Sequence, residues 1–108
     1  MLYKFKSRAT SDLIMLEPHG RRLLQIVGKF SEEQRGILRP EEVPQAVAAL
    51  EAAIAQDEAR RRAAEDEARS KGEEPVPPDS VSLRQRATPF IEMLRRSAAA
   101  GREVVWGV

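Results

Sequence analysis

Apolar and polar side chains alternate through Leu2-Tyr3-Lys4-Phe5-Lys6-Ser7, with Tyr3 and Phe5 on one side and Lys4 and Lys6 on the other. That is the period of a half-buried strand. Ser11 as a cap and Asp12 in a first turn favour a short helix for Leu13-Ile14-Met15-Leu16, with a strand as the alternative. Pro18 suits a first helical position, and Leu23, Leu24, Val27 and Phe30 recur at helical spacing, so a second short helix is expected over about 18–28. Were Leu13–Leu16 a strand, Glu17-Pro18-His19-Gly20 would read as the type I turn of a hairpin, the less favoured arrangement. Gly36-Ile37-Leu38-Arg39 is extended because Pro40 biases the residue before it toward β geometry.

The clearest periodicity follows. Val43, Val47, Leu50 and Ile54 form a stripe at spacings of four, three and four on a helix opened by Pro40, Glu41 and Glu42. Beyond Ile54 no large apolar residue occurs before Val76, yet helix-forming composition continues to Lys71, so the helix is expected to outrun its core. Asp57–Arg61, Glu58–Arg62, Glu65–Arg69 and Glu67–Lys71 are acid-before-base pairs at i,i+4 that support a solvated helix by on the order of 1–2 kcal/mol together. Gly72 marks the stop, and the Pro-rich acidic stretch 72–80 reads as a flexible loop. Ser82 and Gln85 have capping-box spacing ahead of Leu83, Ala87, Phe90, Ile91, Leu94 and Ala98, with Pro89 expected to kink or restart the helix. Gly101 ends it, and Val104-Val105-Trp106-Gly107-Val108 is a strand by composition.

These elements predict an α+β fold in one domain spanning 1–108. A small antiparallel sheet forms from the N- and C-terminal strands, with a third short strand near 36–39 as an option. It packs on helices about 11–28, 41–71 and 82–100. Pairing of the terminal strands would gather Phe5 and Trp106 in one core with Val47, Leu50, Ile91 and Leu94.

The 108 residues, 42% apolar and 32% charged, suit one soluble core. The sequence holds no apolar run near the roughly 20 residues that span a bilayer, and Met1 opens into a charged segment rather than a leader. A cytoplasmic protein without membrane contact is expected. The lack of cysteine removes disulfides and thiolate chemistry and fits a reducing compartment. The net charge of +1 hides an uneven distribution: residues 1–30 carry six Lys or Arg against two acids, residues 81–108 five against two, and the stretch between them is acidic.

Through the segments LYKFKS, DLIMLEPHGRRLLQIVGK, PQAVAALEAAIAQ and SLRQRATPFIEMLRRSAAAGREVVWGV the chain resembles, over essentially its whole length, the uncharacterised betaproteobacterial family catalogued as domain of unknown function 1840. The resemblance implies no established activity, substrate or cofactor, and so no catalytic residues to carry over.

Candidate chemistry is correspondingly thin. His19 is the single histidine and reads as a surface residue of a Pro-Gly turn. Glu41-Glu42 and Glu73-Glu74 are adjacent acids that point apart on a helix, and the glycines form no phosphate-binding pattern. No catalytic, cofactor-binding or metal residue is nominated, and the protein is not expected to be an enzyme. Arg60, Arg61 and Arg62 lie on the part of the long helix that outruns the core and are candidate partner-binding positions, for a protein or a weakly associating second copy. Lys4, Lys6, Arg8, Arg84 and Arg86 could cluster into an anion or nucleic-acid surface if the terminal strands pair, although the aromatic residues look committed to the core. The favoured expectation is an interaction or accessory protein, and an RNA- or DNA-binding module is the alternative.

Overall fold

A computed structural model of the chain describes residues 2–73 and 82–107. The alternating opening segment is β1 (Leu2–Lys6), and it runs antiparallel beside β2 (Leu13–Leu16) with Leu2 opposite Leu16 and Phe5 opposite Leu13. The expected helix at 13–16 is therefore a strand. A free four-residue apolar run cannot choose between the two conformations by periodicity, and pairing with β1 decides it. Helix α1 (Glu17–Val27) starts on the next residue with Pro18 in its first turn, and Gly28 ends it in the left-handed conformation. His19 and Gly20 accordingly sit inside a helix, not in a turn. Gly20 is there for contact: a Cβ on it would run into the Tyr3 ring, so its bare backbone lets α1 lie directly on β1.

The extended piece before Pro40 is β3 (Gly36–Leu38), and a 3₁₀ turn at Pro40–Glu42 leads into α2 (Val43–Ser70). Helix α3 (Leu83–Ala99) starts on the capping box between Ser82 and Gln85 and runs through Pro89 without a break. The Thr88 hydroxyl donates to the Arg84 carbonyl at 2.6 Å in the turn that the proline disturbs. The last strand, β4 (Val104–Trp106), lies between β1 and β3, giving the antiparallel order β2-β1-β4-β3 with Phe5 opposite Trp106.

The three helices cover one face of this sheet. Phe5 is fully buried with its ring 4.8 Å from Phe90 and 5.7 Å from Trp106, and Val47, Leu50, Ile91 and Leu94 complete the cluster expected from the sequence. Gly36 lies flat beneath the indole, where a Cβ would come 2.7 Å from Trp106 Cζ2. Ser97 is buried and shares a 2.7 Å hydrogen bond with Ser7, tying the late turns of α3 to the end of β1. The stripe on α2 is buried at Val43, Val47, Leu50 and Ile54, and the last buried residue of that helix is Asp57. From Arg62 to Ser70 the helix is solvated apart from a half-buried Ala68, so it does outrun the core. Most of the acidic stretch 72–80 lies outside the described residues.

Candidate interaction surface

The sheet alternates, so the residues that do not face the helices form a second surface. Leu2, Lys4 and Lys6 of β1, Ile14 and Leu16 of β2, Val105 of β4 and Ile37 of β3 project there. The register aligns them in rows: Leu16 beside Leu2, Ile14 beside Lys4, and Lys6, Val105 and Ile37 in sequence. Among the described residues Leu2, Ile14, Leu16 and Ile37 are the large apolar side chains left exposed, at 61%, 53%, 56% and 37%. A two-layer domain with one open sheet face ordinarily places polar residues on it. Here the polar positions are lysines only. The cleft along β1, about 390 Å³, is floored by Leu2, Lys4 and Lys6 and walled by Glu33 and Gln34.

The basic residues that the sequence suggested might cluster are separated by the fold. Lys4 and Lys6 are on the open face, and Arg8 follows β1 in an exposed turn. Arg84 and Arg86 are on the first turns of α3, across the sheet, and Arg84 is held by Glu58 through hydrogen bonds of 2.7 and 2.9 Å. The hydrogen bond from Arg84 holds the Glu58 carboxyl below the ordinary value. Arg86 faces His19, whose pKa is lowered by partial burial and by that charge. The aromatic residues of the sheet, Tyr3, Phe5 and Trp106, all point to the helices, so the open face has no stacking platform.

Two of the three consecutive arginines, Arg60 and Arg61, are engaged within the fold. Asp57 is buried between α2 and α3, where it accepts from Arg61 Nε at 3.0 Å, from Arg60 at 3.4 Å and from the backbone N–H of Leu83 at 3.4 Å, with Arg22 of α1 at 3.9 Å. Burial pushes its pKa up, but the hydrogen bonds from Arg61 and Leu83 and the charges of Arg61 and Arg22 outweigh it, leaving the carboxyl below its ordinary value. Asp57 thus joins all three helices. The spacing Asp57–Arg61 was visible in the sequence, whereas the contacts to Arg22 and Leu83 are long-range and left no local signal. Arg62 has no ion-pair partner among the described residues, because Glu58 turns to Arg84. Of the other pairs expected on α2, Glu67–Lys71 forms at 3.0 Å, while Arg69 lies closer to Asp66 than to Glu65.

The family model for domain of unknown function 1840 matches residues 1–106. The chain belongs to that family. The match spans all four strands and all three helices, so the open face and the Asp57 junction both lie within the domain 1840 unit. No curated protein and no solved structure matches the chain. Among the described residues no group of three or more His, Cys, Asp or Glu is placed to hold a metal ion, and no helix is long and apolar enough to cross a membrane.

Proposed function

We propose that this protein is a non-enzymatic accessory protein of the bacterial cytoplasm that binds a protein partner on the open face of its sheet. One observation carries the reading: Leu2, Ile14 and Leu16 stand exposed together on a face whose charged members are lysines, and Ile37 is exposed beyond those lysines on the same face. Apolar surface kept in water costs about 25 cal/mol per Å², and a contiguous patch of it marks an interaction site more often than scattered leucines do. The lysines favour an apolar partner surface with acidic margins. The polar groups that do converge, Asp57 with Arg22, Arg60 and Arg61, are engaged with one another in joining helices, which supports a structural use for them. A cysteine-free chain is compatible with a reducing compartment.

The test is comparative capture. The wild type and a variant carrying Leu2→Glu and Ile37→Glu are used as baits in native extract, after equal melting temperatures have been verified. Partners retained by the wild type are expected to be lost by the variant. An identical captured set removes the open face as a docking surface.

A further inference from the structure

We infer that the outer edge of β2 pairs antiparallel with β2 of a second copy, joining two sheets into one of eight strands. This concerns the backbone edge rather than the open face, so it stands or falls separately from the docking role proposed above.

The two edges of the sheet differ in the side chains they carry. β3 is three residues long, begins on the Gly36 that packs under Trp106, and is followed at once by Arg39 and Pro40. Shortness, charge and proline are the usual means of blunting an edge. β2 is only one residue longer and is likewise followed at once by a charge and a proline, Glu17 and Pro18, but along its own length it is far more apolar. Its four residues, Leu13, Ile14, Met15 and Leu16, are all large and apolar, and its register with β1 is unbroken by a bulge. An edge strand presents a row of unpaired N–H and C=O groups, and this one adds apolar side chains on both of its faces. Ile14 and Leu16 stand more than half exposed on the open face, while Leu13 and Met15 on the helix side are only partly covered. An occupant must therefore supply a strand backbone and apolar side chains on both faces at once.

A second β2 meets each requirement. Antiparallel neighbours that sit opposite each other share a face. With a two-fold axis through Met15, Ile14 of each copy lies beside Leu16 of the other, and the two Met15 side chains meet on the helix side. Leu2, which is already beside Leu16, extends the apolar row in both directions. Asp12 falls beyond the paired residues, and no two lysines oppose each other, since Lys4 and Lys6 are one strand further in. The same pairing makes the two open faces continuous. Leu13 falls opposite Glu17, the first residue of α1, so three residues of each strand pair over only about 10 Å, which buries well under the roughly 800 Å² per partner of a standard stable interface. Association is therefore concentration-dependent rather than obligate.

Sedimentation over a concentration series gives the first reading, with reversible dimerisation expected for the wild type and a monomer throughout for Ile14→Lys/Leu16→Lys. Edge pairing is then separated from stacking of open faces by single-cysteine variants, for which the cysteine-free chain is a clean background. Under a short thiol-to-thiol crosslinker Met15→Cys is expected to form covalent dimer and Ile37→Cys is not. A wild type that stays monomeric at high concentration overturns the inference. So does a dimer that survives the two lysines, or one that links through Ile37→Cys but not Met15→Cys.

Discussion

Asp57 shows how one carboxylate comes to hold three helices. Its position one turn beyond Ile54 puts it at the border of the apolar stripe, where desolvation is costly and each hydrogen bond to the charged form counts for more. Replacing it with asparagine keeps the volume and removes the charge, and is expected to destabilise the fold by about 1–3 kcal/mol in urea unfolding. The pH dependence has a definite sign. A carboxyl whose folded pKa lies below its unfolded value, about 3.9, contributes stability that is complete above the unfolded value and disappears as pH falls through the folded one. The gap between wild type and Asp57→Asn should therefore be widest near neutrality and close under acid conditions. A gap that is constant with pH would mean that the charge of Asp57 contributes nothing.

Among the elements, helices declared themselves more clearly than strands. Val43, Val47, Leu50 and Ile54 repeat over enough turns to fix α2, and the Ser82–Gln85 box fixes the start of α3. Leu13–Leu16 has no repeat to read, and only its neighbour across the sheet makes it β2. Gly20 misled for the same reason, since Pro18-His19-Gly20 has turn composition while the need for a small residue comes from Tyr3, seventeen positions away. The open face was invisible as a surface because its members lie on four strands whose order no local pattern contains. The pairing of β1 with β4 was legible, because Tyr3, Phe5 and Trp106 demanded a common side. That pairing makes β4 the least dispensable strand. Deleting residues 104–107 removes the fully buried Val104 and Trp106 and leaves β1 and β3 without a shared neighbour, and is expected to cost several kcal/mol of a total near 5–15. A truncated chain that melts with the parent would contradict the role assigned to this strand.

At the scale of the whole molecule the extents of 52 × 28 × 22 Å describe a body with a projecting helix. Among the described residues α2 has no buried position after Asp57, and its later turns rest on ion pairs such as Arg69–Asp66 and Lys71–Glu67, whose side chains are more than half exposed and thus contribute little. Native-state hydrogen exchange should divide this one helix in two. Amides of Val47 to Asp57 should open only with the global transition, and those of Arg62 to Ser70 should open by local fraying at far lower free energy. Equal protection along the full length would show that a partner covers the distal half.

The order β2-β1-β4-β3 also bears on how the chain is made. Synthesis runs from the N-terminus, so the hairpin of β1 and β2 emerges early and α1 can settle on it through Gly20. The strand that completes the sheet is the last of the four to be synthesised, yet it occupies a central place. Until Trp106 leaves the ribosome, the inner edge of β1 has no partner and Phe5 lacks half of its enclosure. The core can then close only by joining residues about a hundred positions apart, the kind of contact that slows folding most. For the time taken to translate α2 and α3, the nascent chain carries an unfinished sheet with two bare edges, and that interval is when a chaperone has most to protect.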